Sequence, residues 1–339
     1  MSVDSTAPPE PGVVAALARL GDYVTPLALR VAVSIGVPDA LAGGPLGAEQ
    51  IADRVGAHPP SLLRVLRALS GSGVFHERER GVFALTPISE LLRSDHPHTV
   101  RGMYQMSDVD VRAWSAFEVS VRTPGSGFEH VHGQDFWEYV ATHEDYRAVH
   151  ERDMWDMTER ELEVVGFAYD LGGVRRLVDV GGGNGQFLAG LLTANPGMSG
   201  VLFDRPHVAP GAVPWLTESG VLDRCEVVGG DFFDSVPSGG DAYLLKRVFY
   251  DFSDEQVVRI LSNVRSAMDP AGRVLVLDGV VRADNRWDPG KIHDLYVLGM
   301  GQGRCRTRAE MGALFAAAGL RLTRVAPTGI FPLVEGRLA

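Results

Sequence analysis

Leu177-Val178-Asp179-Val180-Gly181-Gly182-Gly183-Asn184-Gly185-Gln186-Phe187-Leu188-Ala189-Gly190-Leu191-Leu192 reads as a strand, a glycine bend and an apolar helix in direct succession. An apolar run without polar alternation suits a strand buried on both faces. Glycines at the bend let the backbone come close to a ligand, and the helix N-terminus offers N–H groups with no intrahelical partner. The dinucleotide fingerprint G-x-G-x-x-G fits poorly, because Gln186 holds the place of its last glycine. A cofactor without a pyrophosphate is therefore expected.

Outward from this turn the same texture repeats. Candidate strands cover 176–182, 200–204, 225–231, 241–248 and 273–280, with helical stretches QFLAGLLTAN (186–195) and DEQVVRILSNVRSAM (254–268) among them. Such alternation implies a parallel sheet with right-handed crossovers. The second strand ends in Asp204, nineteen residues after Gly185, where a carboxylate can accept from both hydroxyls of a ribose. The third ends in Gly230-Asp231-Phe232-Phe233. Asp231 is placed to take an adenine amino group, and Phe232 to stack on the ring. Together these elements describe an adenosyl pocket without phosphates.

The front of the chain differs. Residues 1–12 read as a disordered tail, acidic and proline-rich and unlike a signal peptide. Residues 13–100 show helical periodicity, with Pro59-Pro60 opening a helix and VFHERERGVFALTP (74–87) forming a two-stranded wing that turns at Gly81. Helices plus wing resemble a DNA-binding shape, yet residues 1–100 carry a charge balance of −2, where a DNA reader is expected to be basic. A dimerisation role is preferred over DNA binding. Residues 101–170 are read as a helical linker whose methionines and aromatics, among them Met103, Met154, Trp155 and Met157, help wall a pocket for a flat apolar ligand. Residues 171–339 form the catalytic domain.

Bulk properties agree. A net charge of −11 argues against a nucleic-acid footprint, two cysteines (Cys225, Cys305) suggest a reducing compartment, and no run is long and apolar enough to span a membrane. A cytoplasmic location is expected, with neither nucleic acid nor membrane as partner. His130 and His132 lack a third ligand nearby, so no metal is expected. Only two lysines, Lys246 and Lys291, stand against thirty arginines.

LVDVGGGNGQFLAGLL, GVLFDRPHV (200–208), GGDFFDSVP (229–237), YLLKRVFYDFSDEQVVRILSNVRSAM (243–268) and GRVLVLDGVV (272–281) resemble the successive motifs of the caffeic-acid-type O-methyltransferases and their bacterial natural-product-tailoring relatives. The resemblance spans nearly the whole chain. It implies a class I, Rossmann-like α/β domain with a seven-stranded, mostly parallel sheet, preceded by a winged-helix-like dimerisation domain. It also implies a homodimer that binds S-adenosylmethionine and methylates a hydroxyl of an aromatic or polyketide-like natural product. On that resemblance Gly181 and Gly183 line the cofactor, Asp204 holds the ribose, and Asp231 and Phe232 hold the adenine. Lys246 sits beside the adenosyl group. Thr158 is a donor to the methionine carboxylate, with Arg147 and Arg152 as looser candidates.

The catalytic pattern departs from the family's. The family places a His before Asp-Trp, oriented by two glutamates; here Tyr250 stands at the His position in Phe249-Tyr250-Asp251-Phe252. Asp278 and Cys305 stand at the two glutamate positions. A phenol is a poor base at neutral pH, so proximity and orientation are expected to carry the methyl transfer. Tyr250, Asp251 and Asp278 are the catalytic candidates, and His293 and Met300 of KIHDLYVLGM (291–300) join the substrate wall. Two rivals follow: a non-methylating catalyst on the same scaffold (hydroxylase, decarboxylase or pericyclase), and, behind it, a small-molecule-binding DNA regulator.

Overall fold

The computed structural model describes residues 11–105, 107–301 and 303–339, and its contacts divide the chain into two compact units between Ser107 and Asp108. The expected tail lies outside the described residues as far as residue 10, and a helix already begins at Pro11.

In the front unit, α1 (Pro11–Leu20), α2 (Val24–Ser34), α3 (Ala48–Val55) and α4 (Pro59–Gly71) precede a hairpin of β1 (Phe75–Glu79) and β2 (Val82–Leu85). Pro59 and Pro60 occupy the first turn of α4, where a missing N–H costs no hydrogen bond. The wing is antiparallel, pairing Phe75 with Leu85, and β2 also pairs with Leu46–Gly47. Ile51, Leu62, Leu66, Leu69, Phe75 and Phe83 close the core. Among the described residues no single helix is long and apolar enough to cross a membrane; α1 and α2 pass that test only as a pair bent by 46°.

The second unit begins with short helices between Asp108 and Thr142, then α5 (Glu144–Ala168). From Asp108 onward the stretch expected to be a linker falls in the same compact unit as the catalytic sheet, and α5 carries side chains into that sheet's core. Val165 joins the cluster of Phe187 and Leu191, and the Leu162 side chain fills the space where a Cβ on Gly190 would stand. Next come β3 (Arg176–Val180), α6 (Gln186–Ala194), β4 (Ser199–Asp204), β5 (Cys225–Gly229), β6 (Ala242–Lys246), α7 (Asp254–Ala267), β7 (Arg273–Leu277), α8 (Pro289–Met300), α9 (Arg308–Ala317), β8 (Leu320–Ala326) and β9 (Leu333–Leu338).

The seven-stranded sheet runs β8-β9-β7-β6-β3-β4-β5, parallel from β7 to β5, with β9 antiparallel to both its neighbours. Alternate strand residues feed two cores: Leu177, Leu202, Leu244 and Leu275 on one face, Val178, Val201, Tyr243 and Val274 on the other. The strand order reverses at β3, so the carboxyl ends of β3 and β6 flank a crevice, the place where open α/β sheets bind ligands.

Candidate active site

The first turn after β3 is shaped by Gly181, whose φ of +78° is open mainly to glycine. A Cβ there would also lie 3.2 Å from Val248 and 3.9 Å from the Phe232 ring, so bare backbone is what brings turn and ring together. Asp204, at the end of β4, faces the same loop: Oδ2 accepts from the Gly183 N–H at 2.8 Å and Oδ1 from the Arg205 N–H at 2.7 Å. A carboxylate offers about four lone-pair sites, so both oxygens keep capacity for a diol. Phe232 packs edge-to-face with Phe233 and Phe252. Asp231 is exposed, with Oδ1 accepting from the Phe233 N–H at 2.8 Å.

Beneath the turn, Asp179 is fully buried, and its Oδ1 has no hydrogen-bond partner. Burial pushes its carboxyl up to about 7, with the charge of Lys246 opposing and that of Asp204 adding to the rise. Glycine backbone, a ribose-competent carboxylate and a buried acid fit a nucleoside that carries positive charge.

Lys246 ends β6. Its Nζ donates to Thr158 Oγ1 at 3.0 Å and Glu161 Oε2 at 3.2 Å, and lies 5.4 Å from the Phe187 ring centre. Thr158 and Glu161 stand three residues apart on α5 and so share a face. The fully buried Glu161 also binds the next residue, with Arg247 Nε at 2.8 Å and Nη2 at 2.6 Å from Oε1. Burial works to neutralise this carboxyl, but Arg247 and Lys246 outweigh it and hold its pKa below the usual range. Burial lowers Lys246, aided by Arg247 and opposed by Glu161.

Tyr250 rides on the single turn Phe249–Asp251, which is clamped from three sides. Asp278 accepts the Phe249 N–H (2.8 Å) and the Gly279 N–H (2.8 Å), one on each oxygen. The wholly buried Arg306 donates to the carbonyls of Phe249 (2.5 Å) and Phe252 (2.6 Å). Gly303 presses on the Tyr250 carbonyl so closely that a Cβ would fall 1.6 Å from it. Asp278 therefore commits one lone pair of each oxygen to backbone and holds the turn. Burial lifts Asp278 to about 7 and Asp251 to about 8, and it raises the Tyr250 phenol further above its ordinary value, so Tyr250 is protonated at neutral pH.

His293, on α8, packs edge-to-face on Tyr250 with ring centres 4.7 Å apart. Burial, helped by the Arg247 charge, drops its pKa to about 3, so the ring is neutral. Cys305 is buried with Sγ against Gly279, and its N–H donates to Asp294.

The structure thus gathers Gly181, Gly183, Asp204 and Phe232 at the glycine turn, and Thr158 and Lys246 beside them. Tyr250 and His293 meet as a second group. Trp155 sits on the turn's side, edge-to-face with Trp215 at 4.4 Å, its carbonyl accepting from Gln186. Met154 and Met157 are partly buried on the same helix. Two further substrate-wall candidates stand on other elements. Met300 is 3% exposed and packs in a core with Ala113, Phe128 and Tyr146, because its position on α8 points inward. Met103 belongs to the front unit, on the turn Gly102–Tyr104, where it is 41% exposed. Arg152 is exposed, and Arg147 donates to the Ala141 carbonyl.

Sequence reading missed Glu161, Arg247, Arg306 and Asp179. The one available signal was the three-residue step from Thr158 to Glu161 on a helix.

Residues 114–321 match the O-methyltransferase domain family, and residues 18–95 match its dimerisation domain. The chain is 37% identical to the phenazine O-methyltransferase of Lysobacter antibioticus, over 95% of this chain and 95% of that protein. It is 39% identical to the mitomycin biosynthesis 6-O-methyltransferase of Streptomyces lavendulae, over 92% and 90%. A crystal structure of an O-methyltransferase from neocarzinostatin biosynthesis, in complex with S-adenosylmethionine and 2-hydroxy-5-methyl naphthoic acid, matches with a TM-score of 0.79 at 33% identity, over 95% of this chain and 98% of that one. The chain belongs to the caffeic-acid-type small-molecule O-methyltransferases, and S-adenosylmethionine is its cofactor.

Proposed function

We propose that the enzyme methylates a hydroxyl on a fused aromatic or polyketide-like natural product, by orientation instead of base catalysis. The observation that carries the mechanism is the Tyr250 turn, where a protonated phenol and a neutral His293 occupy the place of a basic imidazole. The relatives support the substrate class, since they are named for a phenazine, for mitomycin biosynthesis and for a naphthoate.

When bound, S-adenosylmethionine supplies an electrophilic methyl group on a sulfonium. The chain's own residues do the rest. Asp204 would hold the ribose diol, Phe232 the adenine face and Gly181 the methionine portion, with Lys246 and Thr158 alongside. Tyr250 would donate a hydrogen bond that orients the substrate oxygen, while Asp278 and Arg306 fix the turn that carries it. Alignment alone can supply several kcal/mol of barrier lowering, on the order of 7–11 in the best cases. A hydroxyl already partly ionised needs no strong base. The functional assembly is proposed to be a homodimer built on the front unit.

The test is incubation with S-adenosylmethionine and a panel of hydroxylated phenazines, naphthoates and quinones. The expected result is a product heavier by one CH2, formed in equal amount to S-adenosylhomocysteine. A product lacking that increment would point to the non-methylating reading, which the same loss of the His and both glutamates favours.

A further inference from the structure

Lys246 and Arg247 are adjacent, so regular strand geometry would send their side chains to opposite faces. Both nevertheless reach Glu161. The cause is the backbone of Arg247, whose φ of +57° makes it the one non-glycine residue with positive φ among those described. Strain of this kind persists only where the surroundings enforce it, and it gathers at ligand sites.

The rotated side chain is 6% exposed. Phe331 covers one face of the guanidinium at 4.7 Å, Glu161 takes Nε and Nη2, and the Tyr250 hydroxyl lies beside it. Nη1 and also Nη2, although Nη2 is ion-paired with Glu161, are buried with no hydrogen-bond partner, as is Nε2 of His293, whose ring touches both Tyr250 and Phe331. Buried donors are normally satisfied, so the guanidinium calls for an acceptor, and the neutral His293 adds a second donor in the tautomer that carries the proton on Nε2. The protein has little left to offer. Glu161 is shared between two cations, and both oxygens of Asp278 already accept from backbone amides. Asp251 and Asp278 are also pushed by burial toward their neutral forms.

Building on the aromatic-substrate reading above, we propose that Arg247, with the Tyr250 hydroxyl and His293, forms a seat for an anionic oxygen of the substrate, either a carboxylate or the ionised hydroxyl itself. Arg247 is then the specificity determinant for acidic aromatics. If the oxygen it holds is the nucleophile, it also favours the ionised form that reacts without a base. Arginine suits the task because its charge is permanent and its donors are fixed in a fork.

The experiment measures equilibrium binding to the full-length protein in the presence of S-adenosylhomocysteine at neutral pH. Three probes are used: ortho-hydroxynaphthoate, dinitronaphthol (an ionised hydroxyl without a carboxylate) and unsubstituted naphthol. The wild type is expected to prefer one or both anions over naphthol by about ten-fold, the worth of one charge-assisted contact. Preference for the acid alone identifies a carboxylate, and preference for the nitronaphthol alone identifies the nucleophile. Arg247→Met should bring that preference to within about two-fold of unity while naphthol binding holds, and Arg247→Lys should keep part of it. Should Arg247→Met fail to fold with Glu161 less well paired, the double variant Arg247→Met/Glu161→Gln must show the same collapse. A wild type with no preference, no anion binding at millimolar concentration, or a preference that survives in the variants would overturn the proposal. Absence of methylated product with the anion preference intact would fail the methyl-transfer reading alone.

Discussion

Tyr250 and Asp204 carry the sharpest tests at the scale of single residues. The Tyr250 phenol is protonated at neutral pH, raised by burial and by nearby Asp251 and Asp278 against the opposing charge of Arg247. Tyr250→Phe should therefore lower kcat by about ten-fold or less, the worth of one ordinary hydrogen bond, where removal of a true base would cost roughly 100- to 10,000-fold. The pH profile offers an independent check. His293 is neutral above about 3, so kcat/KM should show no imidazole limb, and its rise with pH should follow the substrate's own hydroxyl. Two phenols of different acidity measured side by side would reveal this; a limb fixed near 7–8 for both would report Asp278 and Asp251 instead of the substrate. Asp204→Ala should weaken S-adenosylmethionine and S-adenosylhomocysteine alike by about ten- to a hundred-fold in calorimetry, since two hydroxyl contacts go together. Asp204 stands out in the sequence because it comes in order with the glycine turn and Asp231 at successive strand ends, although either acid alone also reads as a loop residue or helix cap. Glu161 and Arg247 were not legible: they lie 86 positions apart, and the positive φ that joins them leaves no composition signal.

Among the elements, the turn Phe249–Asp251 and helix α8 show how packing sets the chemistry. Arg306 satisfies two carbonyls of that turn and also pairs with Asp254 at 2.9 Å. Arg306→Met keeps the bulk but strands those carbonyls, at about 1–3 kcal/mol each. The expected outcome is a lower Tm and a fall in kcat, with S-adenosylhomocysteine affinity within about three-fold of wild type, since the glycine turn is untouched. Equal loss of affinity and turnover would show that the clamp serves the whole sheet edge. His293 on α8 links burial to stability. Its folded pKa of about 3 lies below the ordinary 6.5, so between those values the folded chain binds fewer protons than the unfolded chain. That contribution is constant above 6.5 and falls away as pH drops toward 3. Near pH 5 the loss should be about 1–2 kcal/mol, and His293→Phe should remove it from denaturant titrations at pH 5 and 7. The parallel strands were legible through their apolar runs. The β8–β9 hairpin was not, because β8 is half exposed and its polar alternation suits an edge strand in any fold. The burial of Met300 was not legible for a related reason: a methionine on a helix reads the same in a core as in a pocket wall.

For the molecule as a whole, the open question is what covers the front unit. Its inner core is complete, with Leu66, Leu69 and Phe83 fully buried, yet α1 and the start of α2 leave apolar side chains in solvent. Leu17 is 68% exposed, Leu20 85% and Val24 62%, with Val13 at 60% beside them. A contiguous apolar run on a terminal helix marks an association surface, and residues 18–95 match a dimerisation domain. Helical periodicity showed these helices in the sequence, but which of their faces lack a partner is visible only once the rest of the unit has folded around the other side. The prediction is a homodimer that stays intact at micromolar concentration. Deleting residues 1–95 should yield aggregates, since Val100 and Tyr104, which pack against the front unit's core, lose their cover. A milder variant separates association from folding. Leu17→Glu with Leu20→Glu touches no buried contact within the unit, so each chain should keep its Tm to within a few degrees if the monomer is stable alone. Burying two carboxylates in a dimer interface would cost several kcal/mol, enough to raise the dissociation constant by a hundred-fold or more. Light scattering across a dilution series would then show monomers where the wild type shows dimers. An unchanged mass for the double variant would place the interface elsewhere, and a well-behaved, active monomer from the deletion would end the case for obligate pairing.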